Sequence, residues 1–188
     1  MSIGGQTSLR ARVSTAILEA AARTLAERGD HASMADVAAA AGVARATVYR
    51  YFPNREGLLE ALGRFAVEEA GDRLQAARLE EVSVPEAFQR AVRVLVTVGD
   101  YFVVLSRESA RPDHVEFEQR VASPLRRLVE RAQGSGEVRN DLPASWLMES
   151  LVGIVVSVLR AQPSLGVEDT VAGVTSLFLD GARTDREG

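Results

Sequence analysis

Residues 33–52 read SMADVAAAAGVARATVYRYF, and no other stretch of the chain leaves so little freedom. Ser33 stands where an N-cap hydroxyl accepts an orphan backbone N–H. Asp36, three positions on, makes a near capping box at the positive end of a short helix. Val37 and Ala41 face inward, Ala38 is small enough to admit a neighbour, and Gly42 supplies the left-handed backbone of a tight turn. Val43 and Val48 complete a small core that Phe52 plugs. Pro53, which has no N–H, ends the second helix. That helix carries Arg45, Thr47, Tyr49 and Tyr51 outward. Two short helices across a glycine turn are the sequence form of a helix-turn-helix, whose second helix enters a DNA major groove.

Charge supports this direction. Residues 1–55 hold 7 Arg against 4 acids, whereas residues 56–188 hold 15 Arg against 22 acids. A basic head on an acidic body turns the head towards phosphate. Lysine is absent, so every cationic side-chain contact to phosphate must use the planar guanidinium. Cysteine is absent too, which removes disulfides and thiol chemistry. Two distant histidines, His31 and His114, give no metal-ligand cluster. Ser106, Ser109 and Ser123 lack a glycine-flanked elbow, and no phosphate-cradling glycine loop is present. No catalytic residue, metal or cofactor is therefore expected, and the chain is not read as an enzyme. The start, MSIGGQTSLRAR, lacks a signal-peptide core, and the longest charge-free apolar stretch near the C-terminus, Ser150–Leu159, is too short to span a bilayer. A cytoplasmic, nucleoid-associated protein with no membrane partner is expected.

The remainder predicts helices throughout, with no hairpin chemistry. Residues 1–9 read as a disordered arm. A first helix follows over 10–28, with Val13, Ile17, Ala20, Ala21 and Leu25 at helical spacing and Gly29 at its end. Asn54 can cap a long helix over 55–79. Helices are further predicted over 84–98, opened by Pro85, over 101–109, and over 114–133 with a bend at Pro124. After the turn-rich GSGEVRNDLP come helices over 144–161 and 167–182, separated by Pro163 and Gly166. On the first of these, Leu147, Leu151, Ile154 and Val158 form a stripe. Val152, Val155, Val156 and Leu159 widen it to about twice the ~100° arc of a helix buried on one side. Val171, Val174 and Phe178 make a matching stripe on the last helix. Two such helices from each of two chains would build a two-fold four-helix interface.

With ILEAAARTLAERG preceding SMADVAAAAGVARATVYRYFPNREGLLEAL, residues 16–62 closely resemble the tetracycline-repressor (TetR) family of bacterial transcription regulators. The remainder resembles it in helix order and in GEVRNDLP leading into an apolar helix. The resemblance implies an all-α homodimer that binds a palindromic double-stranded operator and is released by a small molecule. Carried over by position, Arg45, Ala46 and Thr47 would face base edges. Tyr49, Tyr51 and Arg55 would hold phosphates, and Ser33 would both cap its helix and approach phosphate. The chain departs from the family at Ala44, where a capping Ser or Thr is usual, so a cap typically worth about 1 kcal/mol is missing. Tyr49 and Tyr51, two apart, cannot share one helix face, so one of them is a candidate for packing. Arg50 faces either phosphate or solvent, and Arg55 alternatively pairs with a carboxylate.

The expected organisation is thus a three-helix DNA-binding domain over 1–54, joined by the long helix to a helical ligand-binding and dimerisation domain over 55–188. An effector pocket is expected among the middle helices, lined by Phe88, Val92, Leu95, Val96, Tyr101, Phe102, Phe117 and Trp146, with Arg93, Asp100 and His114 as polar anchors. Its apolar bias suggests a greasy effector. The leading function is a ligand-responsive repressor. The alternatives are an activator, a ligand-independent regulator, or a helical small-molecule-binding protein or enzyme with an incidental helix-turn-helix.

Overall fold

The computed structural model describes residues 3–110, 112–161 and 165–182, the side chains of residues 3–8 and of Asp30 excepted. Ten α-helices and no strand occur among the described residues. None of these helices is long and apolar enough to cross a membrane. The chain forms two compact units, and the division falls inside a helix, between Phe65 and Ala66.

The first unit comprises Met1–Phe65 and Asp100–Pro112. It contains α1 (Ile3–Arg28), α2 (Met34–Ala40), α3 (Arg45–Tyr51), the first half of α4 (Arg55–Ala76), and α6 (Gly99–Arg107) from Asp100 onward. Its core gathers Ile17, Ala21 and Leu25 of α1, Val37 of α2, Val48 of α3, Leu58 and Leu62 of α4, and Val104 of α6. These positions recur every three or four residues, so each helix presents one apolar face inward. The capping box at Ser33 is complete, with hydroxyl and carboxylate each bonded to the other residue's backbone N–H. Gly42 takes φ +65°, as the turn requires. Asn54 caps α4, its Oδ1 accepting from the Gly57 N–H at 2.8 Å.

The second unit comprises Ala66–Gly99 and Asp113–Gly188. Here α5 (Val84–Thr97) packs against α8 (Ser123–Gly134), α9 (Ala144–Arg160) and α10 (Val167–Ala182). Phe88 and Val92 of α5, Leu125 of α8 and Leu151 of α9 are fully enclosed. The Gln133 amide donates to the carbonyls of Arg139 and Leu142, which closes the connection between α8 and α9.

Four sequence expectations change. Residues 3–9 belong to α1 and are not an arm; residues 1 and 2 lie outside the described residues. The long helix ends at Ala76, and Arg78 turns left-handed at φ 49°. Gly99 and Asp100 begin α6 instead of interrupting a helix. The helix over 114–133 is α7 (His114–Phe117) and α8 joined by a π turn over Glu118–Ala122, closed by the Ser123 N–H donating to the Glu118 carbonyl. Pro124 lacks an N–H and its ring crowds the preceding turn, so widening that turn accommodates it. Arg111 and Pro163, expected in loops, lie outside the described residues.

Candidate nucleic-acid interface

α3 is held by one buried side chain, Val48, so most of its surface is open. Arg45, Ala46, Tyr49 and Arg50 are exposed, and Thr47 is half-buried. The Arg45 guanidinium lies 5.4 Å from the centre of the Tyr49 ring, one helical turn away, and its Nη2 is 3.4 Å from the Tyr49 hydroxyl. No side chain caps the helix at Ala44. Tyr51 is the packed member of the tyrosine pair. It is half-buried against the core of the first unit, and its ring meets the guanidiniums of Arg10 and Arg50 at 5.8 and 5.6 Å. Together with Leu9 these three residues line an open cleft. Arg10 was not singled out in the sequence. Its signal was weak, a single arginine at the start of the first predicted helix within the basic part of the chain.

Ser33 is exposed, and its hydroxyl serves the capping box. The Ser33 hydroxyl and backbone N–H, helped by Arg28, hold the Asp36 carboxyl below the usual carboxylate range. Asp36 and Arg28 are 2.8 Å apart, which ties the end of α1 to the start of α2.

Arg55 takes the carboxylate-pairing alternative in place of the phosphate reading. Its guanidinium pairs with the Glu108 carboxylate and donates to the Ala32 carbonyl at 2.8 Å. Arg107 likewise donates to the Ala26 carbonyl at 2.6 Å. Arg107, the last residue of α6, and Glu108 just beyond it thereby secure the last turn of α1 and, through Arg55, the segment leading to α2. Because Glu108 is 16% exposed, Glu108→Ala is expected to destabilise the protein by about 1–3 kcal/mol, read as a lower urea midpoint at unchanged slope.

The expected pocket residues are not gathered as foreseen. Phe88, Val92, Leu95 and Val96 are buried core of the second unit. Arg93 is exposed and paired with Glu168, and each holds the other in its charged form. His114 is exposed and Phe117 half-buried. Trp146 is 66% exposed. Asp100, Tyr101 and Phe102 belong to the first unit, where Tyr101 meets Phe65 edge-on at 5.5 Å. Asp100 is exposed, and partial desolvation of its carboxyl, with the Glu27 charge adding to it and Arg23 opposing, pushes it up. None of these eleven residues lines the cleft of about 930 Å³ that opens in the second unit between the end of α4 and α8.

The expected dimer stripe is also corrected. Leu147, Leu151, Val171, Val174 and Phe178 are buried within their own chain, and Phe178 packs on Phe88 at 5.4 Å. Ile154 and Val158 are half-buried. The greasiest side of an arc is the side its own protomer claims. The open side of α9 carries Trp146, Ser150, Gly153 and Ser157, and that of α10 carries Gly173, Ser176 and Leu177.

Comparison with known proteins fits this geometry. The profile of the bacterial regulatory proteins of the tetR family matches residues 17–62, the segment that builds α2, α3 and their supports. The chain is 30% identical over 141 residues to the HTH-type transcriptional repressor LfrR of Mycolicibacterium smegmatis, covering 75% of this chain and 74% of that one. It is 24% identical over 150 residues to the fatty acid metabolism regulator protein of Bacillus subtilis, covering 74% and 77%. The crystal structure of LfrR from Mycobacterium smegmatis in complex with proflavine superposes with a TM-score of 0.75 at 25% identity, over 94% of this chain and 99% of that one. With the family profile on the helix-turn-helix and a relative 30% identical over three quarters of both chains, the chain belongs to the tetR family of bacterial regulatory proteins, as a DNA-binding transcriptional regulator.

Proposed function

We propose that the protein is a homodimeric repressor that binds a palindromic operator through α3 and is released by a small, largely apolar molecule. Residues 1–54 supply the DNA contacts, and residues 55–188 supply ligand binding and dimerisation. Arg45, Ala46 and Thr47 face base edges, while Ser33, Tyr49, Arg50 and Tyr51, joined by Arg10, meet the backbone. The observation that carries this reading is the exposure of Arg45 on a helix whose one buried side chain is Val48. A guanidinium fork on a major-groove helix can read guanine O6 and N7. The repressor sign follows the 30%-identical relative, whose name describes a repressor. The dimer is supported by the open faces of α9 and α10, where an added Cβ at Gly153 or Gly173 would meet no atom within 4 Å.

Selection of bound duplexes from random DNA, followed by a reporter fusion, tests the reading. The expected result is one palindromic consensus, with affinity falling steeply as salt rises and expression rising when the regulator is deleted. Recovery of sequences without two-fold symmetry, or expression that falls on deletion, overturns it.

A further inference from the structure

The open cleft of the first unit, about 590 Å³ in volume, is lined by Leu9 and Arg10 of α1 and by Arg50 and Tyr51 of α3. Two cations share one aromatic ring there. The guanidinium carbons of Arg10 and Arg50 lie 5.8 and 5.6 Å from the centre of the Tyr51 ring. Each such contact is weak at an exposed site, and the two like charges repel each other. Among the described residues no acid lines the cleft, and neither guanidinium takes part in an ion pair or hydrogen bond found among them. In the same unit Arg28 and Arg55 each have a carboxylate. Two cations gathered on one ring without a counter-charge make a site for an anion.

A guanidinium that meets a ring with its face keeps its in-plane N–H donors, which match the oxygens of a phosphate. The helix geometry says which phosphate. At 3.6 residues per turn, Arg50 stands about 140° round α3 from Arg45, so the two cannot both face the floor of a groove. With Arg45 on base edges, Arg50 is turned towards a groove wall, where the sugar-phosphate strand runs. Arg10 approaches the same ring from α1. It precedes residues 17–62, which match the family profile, so this partner of Arg50 comes from outside the helix-turn-helix.

We propose that Arg10 and Arg50 close on one shared backbone phosphate in each operator half-site. Tyr51 is a positioning residue that holds the two guanidiniums, so its part in the backbone contact is played by its ring and not by its hydroxyl. Leu9, 61% exposed, offers an apolar side to the adjoining deoxyribose. The clamp rests on the reading that α3 enters the operator, and it adds to that reading a contact from α1. A phosphate is the same in every sequence, so the clamp supplies affinity and salt dependence without preference.

Titration of the selected operator with the full-length protein over a range of salt tests this, using Arg10→Ala, Arg50→Ala and the double variant. Both arginines are exposed, so little of the fold is at stake. Each neutralised phosphate contributes roughly 0.9 to the slope of log affinity against log salt, and a two-fold dimer holds two clamps. The double variant is expected to lose about 1.8 of that slope. Each single variant is expected to lose less, because the remaining arginine still meets the same phosphate. All three are expected to weaken the selected duplex and a scrambled one by the same factor. Tyr51→Leu is expected to lose slope as the double variant does, and Tyr51→Phe, which keeps the ring, to restore it. Thermal melting checks that both are folded, and the arginine variants decide the matter if Y51L is not. An unchanged slope in the double variant overturns the contact. Single losses of about 1.8 that add to about 3.6 mean two separate phosphates and overturn the shared clamp. A Y51F protein that behaves as Y51L does returns the role to the hydroxyl. Arg45→Ala distinguishes failure of the clamp from failure of the reading beneath it. If R45A loses operator preference while R10A/R50A keeps its slope, only the clamp falls; if R45A keeps full preference, the placement of α3 falls with it.

Discussion

Arg45→Ala is expected to lower operator affinity by between about 30-fold and about 10⁴-fold while leaving the fold unchanged. A bidentate arginine–guanine contact contributes about 1–3 kcal/mol of discrimination. In a two-fold dimer each substitution is made twice, so the loss is roughly 2–6 kcal/mol, at about 1.4 kcal/mol per decade. Arg45 is exposed, and its described contacts are with Tyr49 alone, so little stability is at stake. The loss is expected in preference as well as strength. Against a scrambled duplex at the same salt, R45A should bind nearly as wild type does. Tyr49→Phe should instead weaken both duplexes alike, since it removes a hydroxyl suited to phosphate and not to base edges. Equal affinity of R45A and wild type for the selected operator would mean that Arg45 does not read bases.

The helix-turn-helix was legible because its signals are local. Ser33, Asp36, Gly42 and Asn54 act within four residues of where they stand, and each does in the structure what its spacing foretold. For Arg55 a carboxylate pairing was one of two readings, but its partner was not legible, for the opposite reason. Glu108 lies 53 residues further along the chain, and no local pattern announces that α6 will return to the first unit. The same long-range fact assigns Asp100, Tyr101 and Phe102 to the first unit, whereas Phe88 and Val92 belong to the second. The apolar arc on α9 was visible, but hydrophobicity alone could not divide it between protomer and partner. Packing claims the large side chains first, so what remains outside is Ser150, Gly153 and Ser157, residues that a search for apolar stripes passes over.

That division of α9 sets the second large effect. Gly153→Arg is expected to halve the mass in solution and to reduce operator affinity by about 10²–10⁴-fold, the factor by which tethering two half-site binders exceeds single engagement. The protomer should tolerate the change. Gly153 is exposed, and a Cβ there meets no atom within 4 Å. An arginine also favours a helix over glycine by roughly 0.8–1 kcal/mol. The cost is expected to fall on association, if the proposed interface uses the face of α9 that Gly153 shares with Trp146, Ser150 and Ser157, where a glycine would let a partner backbone approach and a guanidinium would not. Leu177→Glu on α10, where the leucine is 62% exposed, should act in the same direction, because a charge at the centre of an apolar contact has to be desolvated. Asn140→Arg, on an exposed turn outside both helices, adds the same charge and should leave the mass unchanged. Light scattering at micromolar concentration reads all three. Since an isologous interface repeats every residue of one protomer in the other, a G153R protein that stays dimeric would place the two-fold axis on some other face of the body.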